Sequence, residues 1–184
     1  MELDKAIQSR HSVRKFLDKK PDWKDIIEAI DSTRYAPMAG NSHTVKFILV
    51  DDSNKIQMLS EASQQPFVNK AQYVVVVCSV TSRTTNAYEK QGEIYLRQQA
   101  GAAIQNFLLK IQELGLATCW TGHLVEAQVK RTLKIPANVQ VEAIFPIGYE
   151  FGKSKKKRIA DIDSILFFNE YKKNKMNPTR VLEV

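Results

Sequence analysis

The eight residues Tyr73 to Val80, YVVVVCSV, constrain the fold of this chain more than any other stretch. Four consecutive valines disfavour a helix, because branching at Cβ restricts χ1, and they suit a pleated strand. The run shows no polar alternation, so both faces of that strand must be covered, as in a central strand flanked by helices. It is far too short to cross a bilayer. The N-terminal residues Met1 to Lys5 contain no apolar h-region, so no secretory signal is expected and a soluble, cytoplasmic protein is.

Helical periods surround this strand. Glu2 to Ser9 reads as a short helix with Leu3, Ala6 and Ile7 on one face, and Asp22 as the N-cap of a second. Trp23, Ile26, Ile27 and Ile30 give that second helix its stripe, and it must end by Tyr35, ahead of Pro37. Lys46 to Asp51 is a strand candidate and Asn54 to Ser63 a helix candidate. The longest helical pattern runs from about Tyr88 to Leu114, with Gly115 as its stop and the small residues Ala100-Gly101-Ala102-Ala103 in its middle. Such a middle suits close packing against the sheet or against a partner helix. Leu116 to Trp120 reads as a strand and Val125 to Leu133 as a helix. Val139, Val141, Ala143 and Phe145 alternate as another strand, and Asp161 to Tyr171 reads as one more helix. The tail 172–184 has too few apolar residues to fold alone, and its end, Val181 to Val184, can add to a sheet. The sum is a single domain over residues 1–184, helices against a sheet of four or five strands.

The 184 residues carry a net charge of +7, which raises the question of nucleic acid. No helix-turn-helix, zinc spacing or aromatic RNA-binding strand accompanies that charge, so no nucleic-acid partner is expected. Cys78 and Cys119 sit inside apolar segments at a spacing that suits neither a metal site nor a redox pair, and they read as buried, reduced thiols. His11, His43 and His123 are widely spaced and have no partner cysteines, so no metal is expected. There is no G-x-S-x-G, H-E-x-x-H, Walker or G-x-G-x-x-G motif. No side chain is marked as a catalytic acid or nucleophile, and chemistry here would have to come from a bound cofactor.

Four segments interrupt the apolar pattern. In R-H-S-V-R-K-F, Arg10, Ser12 and Arg14 alternate, so an extended chain presents two guanidiniums and a hydroxyl on one side, a cradle for an anion or else a solvated turn. A-P-M-A-G-N-S-H, residues 36–43, is rich in small residues and offers Asn41 and Ser42. C-W-T-G-H, residues 119–123, ends a strand, where ligands of open sheets tend to bind. The last is the basic run Lys153 to Arg158.

Taken together these segments resemble the nitroreductase family of FMN-dependent, NAD(P)H-using oxidoreductases. R-H-S-V-R-K-F is similar to the family's Arg-x-Ser-x-Arg/Lys-x-Phe signature and A-P-M-A-G-N-S-H to its A-P-S-x-x-N-x-Q loop. L-G-L-A-T-C-W-T-G-H resembles its Gly-Leu-Gly-x-x-Trp-x-Gly segment, and I-P-I-G-Y-E with K-K-K-R its closing Gly-Tyr and Lys-x-Arg segment. The matches keep the family's order from about residue 4 to residue 160.

That resemblance implies an α+β, three-layer sandwich with a mixed sheet flanked by helices and a C-terminal strand exchanged within a homodimer. It implies that Arg10, His11 and Ser12 contact the FMN phosphate and ribityl chain, and Arg14 the pyrimidine edge. Lys156 and Arg158 would complete the phosphate site. Pro37, Met38, Ala39 and Asn41 would come from the other subunit, and Thr121 and Gly122 would lie against the flavin with a backbone N–H near N5. NADH or NADPH would be the donor, and a nitroaromatic, quinone or similar small electrophile the acceptor. Other family members dehalogenate, dehydrogenate or break down flavin, so the alternatives are another reaction on the same fold or a non-catalytic flavin-binding protein. Met38 stands where the family commonly has Ser, and His43-Thr44-Val45 where Gln-Pro-Trp often follows. The substrate pocket is therefore expected near Met38, His43 and His123. The stretch from Val80 to Leu96 is short, which implies an open pocket.

Overall fold

The computed structural model describes residues 1–152 and 158–176, with Ser82 and Arg83 described in their backbone alone. These residues fall into two units that divide between positions 154 and 155.

The first unit is built on Tyr73–Val80, strand β2 in the order in which the strands occur, after β1 (Val45–Val50) and before β3 (Ala117–Thr118) and β4 (Val139–Gly148). The sheet order is β1-β2-β4-β3, and every described pairing is antiparallel. Seven of the eight β2 residues are buried, as a strand with two apolar faces requires. One face packs Tyr73, Val75 and Val77 with Ile104, Phe107 and Phe145. The other packs Val74, Val76 and Cys78 with Leu59, Val129 and Ile144. Helices α1 (Leu3–Ser9), α2 (Trp23–Asp31) and α4 (Ser82–Glu113) are grouped by their contacts on the first side, and α3 (Ser53–Ser63) and α5 (Glu126–Leu133) on the second. The layers are those of an α+β sandwich. The expected C-terminal strand, 181–184, lies outside the described residues.

Local chemistry sets the boundaries. Asp22 caps α2 by accepting from the Lys24 N–H, and Asp52 caps α3 by accepting from Asn54 and Lys55. Gly115 follows α4 with φ +71, the left-handed stop that glycine allows. Helix α4 begins at Ser82, six residues before the expected start, and breaks at Glu89 (φ 48, ψ −132). Its two segments cross at Gly92, where a Cβ would come within 2.5 Å of the Thr84 carbonyl oxygen.

Three expectations are corrected. The strand foreseen over Leu116 to Trp120 is two residues long, with Thr121 adding an isolated bridge to Ile144. The stripes foreseen on α1 and α2 are largely uncovered within this chain: Leu3, Ile7, Trp23 and Ile27 are exposed, and only Ala6, Ile26 and Ala29 are buried. In the second unit, the helix foreseen over Asp161 to Tyr171 is a single 3-10 turn, Ile162–Ser164, capped by Asp161. Ile162, Ile165 and Leu166 remain exposed there, so a helix would gain no burial, and Asn169 takes a positive φ. Among the described residues no helix is long and apolar enough to cross a membrane.

Candidate functional site

Two of the four chemically marked segments, R-H-S-V-R-K-F and C-W-T-G-H, converge on one edge of the sheet; of the basic run 153–158 only Arg158 is among the described residues, in the second unit. After α1 ends at Ser9, the chain is extended at Arg10 (ψ 126) and runs beside β3 and the end of β4. The Val13 N–H donates to the Thr118 carbonyl at 2.9 Å, and the Leu17 N–H to the Tyr149 carbonyl at 2.8 Å. The Phe151 N–H donates to the Lys15 carbonyl at 2.9 Å, and Phe16 bridges Glu150. R-H-S-V-R-K-F thereby acts as an added edge strand. Val13 points inward at 2% exposure, and Ser12 and Arg14 stand outward on either side of it. Gly148 permits this docking, since a Cβ there would sit 2.9 Å from Phe16 Cδ1 and 3.2 Å from Phe16 Cβ.

The charges along this edge are mostly uncompensated. Among the described residues Arg10 and Arg14 have no carboxylate at ion-pair distance; Arg14 stands over the Phe67 ring, 5.8 Å from its centroid. His11 is held more firmly. Its Nδ1 meets the Ser9 carbonyl at 2.8 Å and its Nε2 meets Glu150 Oε1 at 3.1 Å. The Ser9 carbonyl first and then, against the effect of burial, the Glu150 carboxylate raise the His11 pKa above its ordinary 6.5. Both neighbours accept and cannot donate, so only the imidazolium satisfies both.

Beside this segment, the Thr118 hydroxyl is buried without a hydrogen-bond partner. Thr121 is buried too, and its N–H is taken by the Ile144 carbonyl at 3.1 Å. Gly122 is exposed, with its N–H unengaged among the described residues. Of Thr121 and Gly122, expected to lie against the flavin with a backbone N–H near N5, only Gly122 has its N–H unengaged among the described residues. His123 is exposed at the same edge. Arg14, Phe16, Asn69, Lys70, Gln72 and Phe151 line an adjoining cavity of about 450 Å³.

The segment 36–43 is elsewhere: Pro37, Met38, Ala39 and Asn41 lead into β1, at the opposite edge, and are pinned to α4. The Ala39 N–H donates to Gln99 Oε1 at 3.1 Å, and Gln99 Nε2 donates to the Thr44 hydroxyl. The Tyr88 hydroxyl abuts Gly40, and Tyr88 meets Tyr95 edge to face at 5.2 Å. Met38 and His43 share a cavity of about 550 Å³ with Ile27, Tyr35 and Phe47. Val45 registers with Ser79, whereas Ala117 registers with Gly148. Three strand spacings and about seven residues along the strands put these points about 25 Å apart. Within one chain, His43 and His123 do not meet. Lys156 lies outside the described residues, and Arg158 is an exposed residue of the second unit.

The sequence reading passed over Glu150, Gln99, Tyr88 and Phe67. Gln99 carried a signal, being a polar residue on the buried stripe of Leu96, Ala100 and Ala103. Glu150 and Phe67 carried none, because each is defined by a contact with a residue far away in sequence. Among the described residues no group of three His, Cys, Asp or Glu side chains is arranged to hold a metal.

A model of the nitroreductase family matches residues 7–65 and 55–149. A protein of Archaeoglobus fulgidus provisionally named an NADH dehydrogenase/NAD(P)H nitroreductase is 28% identical over 150 residues, 79% of this chain and 83% of that one. The iodotyrosine deiodinase of Thermotoga neapolitana is 23% identical over 168 residues, 77% of this chain and 85% of its own. Among solved structures, the NADPH:FMN oxidoreductase of Vibrio harveyi complexed with NAD+ superposes with a TM-score of 0.83 at 22% identity, covering 95% of this chain and 79% of that one.

Proposed function

This chain belongs to the nitroreductase family, and on that premise we propose that it is an FMN-dependent oxidoreductase using NADH or NADPH to reduce a small electrophile such as a nitroaromatic or a quinone. The observation that carries the reading is the β3 edge, where Arg10 and Arg14 stand without carboxylate partners around Ser12. Two free guanidiniums and a hydroxyl suit a phosphate monoester, which takes charge-assisted hydrogen bonds. The unpartnered Thr118 hydroxyl and the free Gly122 N–H add neutral donors next to them, so the donor set fits FMN.

In this reading Arg10 and Ser12 serve the phosphate and ribityl chain, with His11 between them in the segment, together with Lys156 and Arg158. Arg14 stands at the pyrimidine edge, where its charge favours the anionic reduced ring. Thr121 and Gly122 back the ring, with the Gly122 N–H as donor. When bound, FMN supplies the hydride chemistry, so the chain needs no acid or nucleophile of its own. Pro37, Met38, Ala39 and Asn41 lead into β1, three strand spacings across the sheet from β3 within the chain. They take part only if a second copy brings its loop to this edge, so the working unit is a homodimer. The exposed apolar residues of α1 and α2 support such a contact. His43 and His123 then border the acceptor pocket from different subunits.

A second reading keeps fold and flavin but makes the reaction a reductive dehalogenation, favoured by the similarity to the Thermotoga deiodinase. Purified protein is expected to be yellow or to turn yellow with added FMN, and to oxidise NADH or NADPH with a nitroaromatic or quinone. Release of iodide from an iodophenol, without turnover of those acceptors, would select the second reading. Protein that stays colourless with added FMN would refute both.

A further inference from the structure

We propose that Glu150 is a positioning residue for cofactor binding, and that His11 acts as the strut joining it to the Arg10–Arg14 segment rather than as a ligand of the phosphate. The inference rests on the assignment of Arg10, Ser12 and Arg14 to the flavin. Backbone bonds from Val13, Lys15 and Leu17 fix the later part of the segment to Thr118, Phe151 and Tyr149. At the front, Arg10 and Ser12 have no such rung; what ties that end to the sheet is the His11 side chain, from the Ser9 carbonyl at the close of α1 to Glu150 beyond β4.

The charged groups facing the imidazole decide its role. Glu150 stands 3.1 Å from Nε2, the Ser9 carbonyl caps Nδ1, and the neighbouring Arg10 charge opposes protonation. The ring has no third donor, so contact with a phosphate would require release of Ser9 or Glu150. Kept on Ser9 and Glu150, the imidazolium holds Arg10 and Ser12 at a fixed height over the edge. A neutral ring satisfies one acceptor and faces the other with a lone pair, so the strut weakens as pH rises through the His11 titration.

Glu150→Gln separates the alternatives, because it keeps an acceptor and removes the charge. In FMN-free protein followed by imidazole NMR, His11 is expected to titrate above 6.5, and at lower pH in E150Q. At pH 6 the FMN dissociation constant, read by flavin fluorescence quenching, should rise about two- to fivefold in E150Q, the range for a part-exposed pair. A phosphate-ligand His11 would be freed by the same change, so tighter or unaltered FMN binding in E150Q overturns the proposal. So do superimposable His11 titrations in the two proteins. Should E150Q fold poorly, His11→Gln gives the same decision: the wild-type loss of FMN affinity between pH 6 and pH 8 should vanish, and its persistence overturns the strut. A wild type that binds no FMN overturns the flavin assignment instead, and the NMR titration still reads the strut.

Discussion

The two edges of the sheet are built differently. At the β3 edge a two-residue strand is completed by a segment from the N-terminus, and chain from three separate places meets within a few hydrogen bonds. At the β1 edge a six-residue strand is preceded by its own loop, which is tied to the nearest helix by Gln99 and Tyr88. The first edge carries uncompensated cations, and the second carries small and apolar residues around cavities. On the proposed reading neither edge alone completes a flavin site, and what one lacks the other holds, the arrangement a two-fold symmetric pair uses to complete two sites at once.

The strongest test of this division is to damage each edge separately. Arg14→Glu, at the β3 edge, and Met38→Glu, at the β1 edge, should each lower FMN affinity more than tenfold, about 1.5–3 kcal/mol. Co-expression of the two should restore about a quarter of wild-type flavin sites, since half the dimers are mixed and each has one intact site. Flavin content of the separated mixed dimer reads this directly; no recovery, or a monomer in sedimentation, would break the comparison.

Smaller effects should distinguish the edges by stability. Gly148→Ala forces a Cβ against Phe16 and should destabilise the fold by about 1–3 kcal/mol. Gly40→Ala meets the movable end of Tyr88, but it places alanine at φ +55, a cost of about 1–2 kcal/mol. Urea midpoints should fall in both, and flavin binding in G148A should track the loss of the docked segment. Equal flavin affinity in G148A and wild type would show that Gly148 does not support the cradle.

The smallest effect belongs to the strand between the edges. Burial first, and then Glu142, push the Cys78 thiol from 9.0 up to about 11. The folded protein therefore keeps this proton longer than the unfolded chain, and the associated stability is full below pH 9 and declines from there towards pH 11. At pH 8 a thiol reagent should leave Cys78 unlabelled until the protein unfolds. Rapid labelling of native protein would show that the central strand opens as easily as its margins.

Much of the scaffold was legible in the sequence for physical reasons that stay local. Tyr73 to Val80 announced a strand because no residue in it could face water, and Asp22 and Gly115 mark helix ends through bonds and angles within a turn. Asp161 to Tyr171 misled because an apolar stripe makes a helix only where something covers it. The site segments were visible as interruptions, but the placement of 10–16 and 119–123 at one edge and of 36–43 at the other was not, since it depends on strand order. The same holds for Glu150, whose partner is 139 positions away.

That separation also bears on how the chain comes to be folded. Residues 10–17 are made long before the positions that seat them on the sheet, since Val13, Lys15, Phe16 and Leu17 pair with positions 118 and 149–151. Vectorial synthesis therefore leaves this segment undocked until the chain has been made past Phe151, so a stretch made early takes its place late. A nascent chain halted anywhere before β4 cannot form the cradle, however well its first helices and strands have condensed.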